Sequence, residues 1–397
     1  MSTRTDDPAV PGPSTATRSA LATALAGLPR VVDLLAARAE EHDRDATFPY
    51  QGIEAVHEAG LLTLTVGQRF GGPGGSLADT VRVLAELGRG DASVALLTAF
   101  TLLLHAEQAR TGRWPTAAYR KLLTESRRGP ALVDTLWAEP AEGPRTVAQR
   151  DGDGWLLTGR KTGCTGAEAL AWMAVVARTD EAQPRTGTFL VRGDSAGVEV
   201  DPGAEQLGLR AGAGHDVLLR AVRVPAEAAL GLAPAPVDPG PGPTGPVRTD
   251  PAAAITASWR DLALAAVQLG VAQAARDWLA RFLARPVAGE PLGVPPRRQE
   301  TLGELETALI GAEELLAGLA ARIDAGEAGA LGRTGPAHLL VSRAVVEAVQ
   351  RAVEVTGAAG LSRRHPLERY LRDALSGRSH CPPPDVVLAA AGCTALA

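Results

Sequence analysis

Cysteine is scarce in this sequence, with only three residues among 397, at Cys164, Cys381 and Cys393. Three isolated cysteines provide neither a disulfide framework nor the paired CxxC spacing of a structural zinc site. We therefore expect no metal centre, and we expect a reducing cytoplasm as the compartment.

A concentration of positive charge is also missing. The 40 Lys and Arg residues are outnumbered by 45 Asp and Glu, the formal net charge is -5, and no dense basic block occurs. This pattern argues against a nucleic-acid partner. No run approaches the roughly 18 uninterrupted apolar residues of a membrane span. Residues 1–18 are polar and contain prolines, unlike a signal peptide or an anchor, so we expect no membrane association.

Aromatic residues make up only 4% of a chain that is 45% hydrophobic, so aliphatic packing must dominate. The pattern predicts a disordered tail over residues 1–20, a helical domain over 21–130 and a β domain over 131–230, where short apolar runs alternate with glycine or charge. A Pro/Gly-rich loop is predicted over 231–256 and a helical domain over 257–397. Within the last domain, Pro382-Pro383-Pro384 predicts a loop over a site, followed by a short tail.

Four motifs occur in an order that is similar to the acyl-CoA dehydrogenase superfamily. They are Ala138-Glu139-Pro140, the strand pair Gly152–Thr162, the helix Leu269–Ala275 and the C-terminal segment Gly357–Asp373. The resemblance implies an α+β, mainly helical fold with an N-terminal α-helical domain, a middle β-barrel domain and a C-terminal four-helix bundle. It also implies a flavin, FAD or FMN, and a homotetramer or homodimer whose flavin sites span subunits.

The usual catalytic base of that family is missing. Cys381 stands eight residues after Asp373, where the best-known dehydrogenases have a glutamate. The stretch His380-Cys381-Pro382-Pro383 resembles instead the oxygen-using branch, which includes dibenzothiophene monooxygenases and nitrososynthases. In that branch a histidine near this point lies beside the flavin and assists the reaction with oxygen. His380 suits the role because imidazole titrates near neutrality, although a surface-loop histidine fits the sequence equally well.

Two further residues are candidates for catalysis. His105 lies on a largely apolar helix from which the oxygen-using branch often draws pocket residues, although most such histidines are core or interface groups. Some family members carry the base on the first C-terminal helix, at the position of Arg260. Asp261 is adjacent and is the best replacement, but neighbouring helical residues point about 100° apart. A structural role in a salt bridge or at a helix start is the commoner reading of Asp261.

The resemblance places the flavin ring beside Trp137, Ala138, Gly143, Cys164 and Thr165. Ala138 lacks the hydroxyl that the family usually offers the ring, whereas Thr165 keeps one. The tryptophan that stacks on the ring in the family is replaced by Gly163, and Trp137 is an alternative aromatic surface.

The resemblance implies that the partner subunit supplies Arg285 to the dinucleotide, and Glu354 stands where the family often has a glutamine near the dinucleotide backbone. A carboxylate such as Glu354 repels a pyrophosphate, which favours reduced FMN or FAD delivered by a flavin reductase over a tightly held dinucleotide.

Three functions remain open from the sequence. We favour a monooxygenase that uses reduced flavin and oxygen on a small molecule, at nitrogen, sulfur or carbon. The second is an acyl-CoA dehydrogenase with a relocated base, Asp261, acting on an acyl thioester. The third is a non-catalytic homologue that serves as a subunit or scaffold.

Overall fold

The computed structural model describes residues 15–142, 145–203, 205–212, 214–235, 251–285 and 295–396. Within them, helices, then a sheet, then helices again follow in order, which confirms the predicted fold class. The N-terminal helices are α1 (Thr15–Asp45), α2 (Tyr50–Glu58), α3 (Leu77–Gly90), α4 (Ala92–Thr111) and α5 (Thr116–Glu125). The strands are β1 (Leu132–Leu136), β2 (Val147–Asp151), β3 (Gly154–Thr165), β4 (Leu170–Thr179), β5 (Arg185–Arg192), β6 (Val198–Asp201), β7 (Gly214–Pro225) and β8 (Ala229–Pro234). The C-terminal helices are α6 (Pro251–Leu283), α7 (Pro296–Asp324), α8 (Ala328–Leu331), α9 (Thr334–Thr356), α10 (Leu367–Gly377) and α11 (Pro384–Leu396).

Helix α4 is the part of the N-terminal domain that contacts both the sheet and helix α6 of the C-terminal domain. It begins where the Asp91 carboxylate accepts hydrogen bonds from the backbone N–H groups of Ser93 (2.8 Å) and Val94 (3.2 Å), which satisfies two donors of the first turn. Nearly all of its side chains are buried, because apolar residues face every side of the helix. Thr101 on α4 exchanges hydrogen bonds with the backbone of Val133 in β1, which joins this domain to the sheet.

The middle domain is a mixed sheet with strand order β6-β7-β3-β2-β4-β5-β8, and β1 pairs in parallel with β4. The buried rings of Trp155 and Phe189 pack 5.5 Å apart between strands β3 and β5. Buried and more exposed side chains alternate in part along β3, whereas the buried residues of β5 are the consecutive Phe189, Leu190 and Val191. The ends of β1 and β3 lie where the sheet meets the helices.

Helix α6 is the central element of the C-terminal bundle, which it forms with α7, α9 and α10. It also packs on α3 and α4 of the N-terminal domain. Its contact with α3 requires glycine on both helices. A Cβ added at Gly270 would lie 2.2 Å from the carbonyl oxygen of Ala85, and one at Gly88 would lie 2.5 Å from that of Val267.

The ends of the first helix and of the Pro/Gly-rich segment differ from their sequence prediction. Residues 15–20, expected in the tail, belong to α1, whose Ala24 and Leu28 pack into the core; residues 1–14 lie outside the described residues. Of the predicted loop 231–256, residues 231–234 extend β8 and 251–256 begin α6, because pairing and helix packing override the proline signal there. Residues 236–250 lie outside the described part of the chain.

The predicted C-terminal tail is wrong as well. Residues Pro384–Leu396 form helix α11. Proline is tolerated at the first helical position, because the backbone N–H that it lacks would have no acceptor within the helix there. This helix leaves Val386, Leu388 and Leu396 exposed on the single chain.

Two helices are apolar and long enough to cross a membrane when judged by length and composition alone, Ser19–Asp45 and Ala92–Thr111. The second is a core helix of this fold, with 83% of its most apolar window buried; for the first that share is 22%. The core helix of a soluble protein passes the same test, so length and composition do not establish a span.

The α3–α6 contact makes a testable prediction. Gly270→Ala should lower the free energy of unfolding by about 3 kcal/mol, because the methyl group collides with backbone atoms that cannot move independently. Gly311→Ala is the matched control, since a Cβ at this exposed position of α7 would contact nothing within 4 Å. The control should gain up to about 1 kcal/mol from helix propensity. If urea denaturation gave the same change in unfolding free energy for both variants, the close contact between α3 and α6 would be contradicted.

Candidate active site

Four elements from the three domains meet at one place. The ring of Phe100 on α4 lies 6.1 Å from that of His380, which ends the 3-10 turn Arg378–His380 after α10. The Arg260 guanidinium of α6 lies over the rings of Phe100 (5.4 Å) and of Trp137, just after β1 (5.2 Å). We call this group of four residues, Phe100, Trp137, Arg260 and His380, the junction cleft.

The position of His380 is fixed by bonds between α10 and the other two domains. The Asp373 carboxylate accepts a hydrogen bond from Leu209 N (2.7 Å), and the Ser376 hydroxyl accepts one from Gly208 N (2.9 Å). Arg372 forms an ion pair with Asp43 of α1 at 2.6 Å. Because α10 is held by both neighbours, the turn that follows it has little freedom to move.

Arg260 is the cation of the junction cleft. Among the described residues no hydrogen bond or ion pair joins its guanidinium, and the nearest opposing charges are Asp134 of β1 and Asp261. Burial lowers the pKa of Arg260 below its usual value, and these two carboxylates act in the opposite direction. Burial also raises the pKa of Asp134 to about 7, against the effects of Arg260 and of the Thr135 N–H at 2.6 Å.

His380 is a neutral imidazole in this environment. Burial, followed by the nearby charge of Arg260, lowers its pKa to about 4. The sequence-based argument that it titrates near neutrality is therefore wrong for this structure. An uncharged ring at neutral pH can still donate one hydrogen bond and accept another, or accept a proton from a reacting group.

A second histidine, His338 of α9, lies behind His380. It is fully buried, and burial, the repulsion from a protonated His380 and the charge of Arg260 lower its pKa to about 3. Its Nε2 lies 3.2 Å from the amide nitrogen of Gln268 on α6, which donates to the Gly377 carbonyl at 2.8 Å. This contact chain links three helices directly beneath the turn that carries His380.

Cys381 cannot take over the role of a carboxylate base. Burial and the charge of Asp261 raise the pKa of its thiol to about 11, so the thiolate is rare at neutral pH. Asp261 is itself buried, and its carboxylate accepts a hydrogen bond from the Thr334 hydroxyl at 2.8 Å, at the start of α9. That contact matches the structural reading of Asp261 more closely than a base facing a substrate.

The residues expected at the flavin ring lie together at the ends of β1 and β3. The Ala138 carbonyl accepts a hydrogen bond from Thr162 N (3.0 Å), and the adjacent Glu139 forms an ion pair with the buried Lys161 at 2.9 Å. These bonds hold the segment after β1 against β3. Trp137 is 36% exposed, and Ala138 is exposed beside it.

Thr165 fits a polar ligand at this edge. The residue is 9% exposed, and the described residues offer its hydroxyl no hydrogen-bond partner. Cys164 is buried with a pKa raised to about 12 by burial, so it is an apolar wall rather than a reactive thiol. The backbone of Gly163 has φ 60°, in the left-handed region, and no atom lies near the position of its missing Cβ. The chain therefore leaves open space where the family has its stacking tryptophan.

Within a single chain, Arg285 and Glu354, the other residues expected to bind the cofactor, do not lie near the ends of β1 and β3. Arg285 follows the end of α6, and the helix from Arg260 to Leu283 is roughly 35 Å long at 1.5 Å per residue. Glu354 is exposed near the end of α9, where it pairs with Arg351. Gly143 lies outside the described residues.

His105 lies in the core of the N-terminal domain. Its Nδ1 lies 2.9 Å from the Tyr119 hydroxyl on α5, and its side chain is fully buried. Five residues separate it from Phe100, so the two point about 140° apart on α4. The structure therefore does not bring His105 into the junction cleft.

Sequence reasoning missed Phe100, Asp134 and His338, and considered Arg260 only as the position of a lost base. Asp134 left a usable signal, because an acidic residue in the strand Leu-Val-Asp-Thr-Leu is unusual. Phe100 and His338 left none, since each is an ordinary member of a mainly apolar helix. Among the described residues no group of three His, Cys, Asp or Glu side chains is placed to hold a metal ion.

Comparisons with known proteins agree with the three-domain fold. Models of the N-terminal, middle and C-terminal domains of acyl-CoA dehydrogenases match residues 31–112, 138–222 and 256–379. The putative acyl-CoA dehydrogenase YdbM of Bacillus subtilis is 29% identical over 371 residues, which are 90% of this chain and 93% of that protein.

Two solved structures are similar along almost the whole chain. KijD3 in complex with FMN and a dTDP-linked amino keto sugar has 27% identity and a TM-score of 0.80, and the match covers 97% of this chain and 95% of KijD3. The nitrososynthase of Micromonospora carbonacea var. africana has 24% identity and a TM-score of 0.75, with 92% of each chain covered, and this match concerns the fold alone.

The buried state of His105 predicts a pH dependence. Burial lowers its pKa to about 4, whereas an unfolded histidine has a value of about 6.5. Below pH 6.5 the unfolded state therefore binds the extra proton, and the folded wild type loses stability as the pH falls. We expect the wild type to exceed His105→Gln in unfolding free energy at pH 7.5, and this difference to narrow by about 2 kcal/mol at pH 5. Other titrating groups contribute equally to the wild type and the variant. A difference in unfolding free energy between the two proteins that does not change with pH would therefore contradict a buried, neutral His105.

Proposed function

The chain belongs to the acyl-CoA dehydrogenase family, and we propose that it is a cytoplasmic flavin-dependent monooxygenase that uses reduced flavin and oxygen to oxidise a small molecule. The observation that carries the proposal is the pair His380 and Cys381. A neutral imidazole faces the junction cleft, while the position of the family's carboxylate base holds a thiol whose pKa is about 11. Abstraction of a proton next to a thioester lacks its base here.

The residues present fit the ring of a flavin. The unpartnered Thr165 hydroxyl is a hydrogen-bonding group at a buried edge, Trp137 offers an exposed aromatic face, and Ala138 and Gly163 leave room. A reduced flavin bound there would supply electrons to oxygen. The chain's own part is to enclose the site with Phe100 and Trp137 and to give or take a proton at the His380 imidazole.

The source of the flavin follows from what the cleft lacks. Arg285 lies beyond the end of α6, roughly 35 Å along that helix from Arg260, and Glu354 is exposed near the far end of α9, so we place both across a subunit contact. We therefore propose FMN or FAD that arrives reduced from a flavin reductase and is held mainly by its ring. KijD3, which was solved with FMN, supports this choice of cofactor chemistry.

Assembly is part of the same proposal. Apolar side chains are exposed along the C-terminal domain, among them Ile310 of α7, Leu340 of α9 and Leu388 of α11. Burying them between copies of the chain is favourable at about 25 cal/mol per Å² of apolar surface. We propose a homodimer or homotetramer formed through these helices.

A dehydrogenase remains the second candidate, because Asp261 lies close enough to Cys381 to raise the pKa of its thiol. The name of YdbM also favours this reading. For Asp261 to act as a base, its hydrogen bond with Thr334 would have to be given up.

The reaction type can be decided by two assays on the same protein. With reduced FMN and oxygen, we expect the wild type to delay the release of hydrogen peroxide. His380→Ala should shorten that delay by about 10²-fold, because the proton-transferring group is lost. His57→Ala, in α2 of the N-terminal domain, is the control and should match the wild type. Rapid oxidation of butyryl-CoA with an artificial acceptor, lost in Asp261→Asn and kept in His380→Ala, would establish the dehydrogenase instead.

Flavin affinity and assembly provide a further prediction. Thr165→Val should weaken flavin binding by about 5-fold, the effect of one neutral hydrogen bond. Arg285→Glu should weaken it as well if the partner subunit reaches the flavin. Both affinities can be measured by fluorescence titration, with the mass in solution from sedimentation. A monomer at micromolar concentration that binds flavin normally would contradict the proposed assembly, and an unchanged Thr165→Val would remove Thr165 from the site.

A further inference from the structure

We propose that Arg260 binds a carboxylate group of the substrate and so selects small organic acids over neutral molecules of the same shape. The inference rests on the proposed function, since it concerns the substrate of that reaction. The subsite lies at the position where some family members carry their carboxylate base.

The geometry leaves the guanidinium ready for a ligand. The faces of Phe100 and Trp137 take its apolar surfaces, with Cζ 5.4 Å and 5.2 Å from the ring centroids. Contacts of this kind stabilise the cation but supply no carbonyl or carboxylate acceptor for its N–H groups. Among the described residues no acceptor bonds to these N–H groups, although five donors are present.

The surroundings make an added anion favourable. A partly buried cation without an ion pair is costly, because protein replaces water around it without compensating hydrogen bonds. Asp261 is engaged with Thr334, and Asp134 accepts the Thr135 N–H, and neither lies within ion-pair distance of Arg260. A ligand carboxylate that reaches the guanidinium would form an ion pair that compensates both its own negative charge and the positive charge of Arg260.

The number of charges favours a single carboxylate over a diphosphate. The other titratable groups that face Arg260 are His380 and His338, and burial holds both neutral at pH 7. One cation with a planar fork of donors matches one planar carboxylate in a bidentate pair. A diphosphate would bring two or more charges to a site with one positive charge.

The test compares acids with their amides. Calorimetry would measure the binding of hexanoate and hexanamide, and of benzoate and benzamide, to the full-length protein at pH 7.5. We expect at least one acid to bind about 10- to 100-fold more tightly than its amide, the effect of a charge-assisted bidentate contact. Arg260→Gln should abolish the preference, and Arg260→Lys should keep part of it. Arg281→Gln, which removes an exposed cation from the same helix, should leave it unchanged.

The outcomes separate this inference from the proposed function. No preference for any acid in the wild type, or a preference that survives in Arg260→Gln with an unchanged melting temperature, would overturn the carboxylate subsite. An Arg260→Gln variant that loses flavin affinity while acids and amides bind alike would assign Arg260 to the flavin and also overturn it. A protein that shows the Arg260-dependent preference but binds no flavin would keep the subsite and refute the monooxygenase.

Discussion

The burial of α6 on nearly every side is the constraint on which the rest of the molecule depends. The helix contacts α3 and α4 of the first domain and α7, α9 and α10 of its own, and glycines bring its backbone against α3. A charged residue on such a helix needs neighbours that stabilise its charge, and Arg260 lies over the rings of Phe100 and Trp137, beside His380. The position of the cleft and its charge therefore follow from the packing of one helix.

That single cation then sets the protonation states around it. Together with burial, its field keeps His380 and His338 neutral, and it acts against the burial that raises the pKa of Asp134. Replacing the carboxylate by a thiol leaves a positively charged cleft with a neutral imidazole, which suits binding an anion and moving a proton near it.

The fold was predictable because its signals are local. The apolar run Trp172–Ala177, the helical spacing in Leu302–Ile323 and the signature Gly357–Asp373 each act within a short stretch. The cleft was only partly predictable, since Phe100, Arg260 and His380 are 160 and 120 residues apart and meet only through packing. The first residues of α1 and the whole of α11 were missed where proline and polar composition suggested a chain end, although Pro384 fits the first position of a helix.

The most direct test of this account is a titration followed by absorbance, with the purified protein mixed anaerobically with reduced or oxidised FMN and FAD and then exposed to oxygen. We predict a protein that binds added reduced flavin, holds oxidised flavin weakly, and changes the course of reoxidation. A protein that is yellow as isolated and is bleached by butyryl-CoA would contradict the account in favour of a dehydrogenase. Binding of neither flavin in either state would contradict any flavin chemistry at the junction cleft.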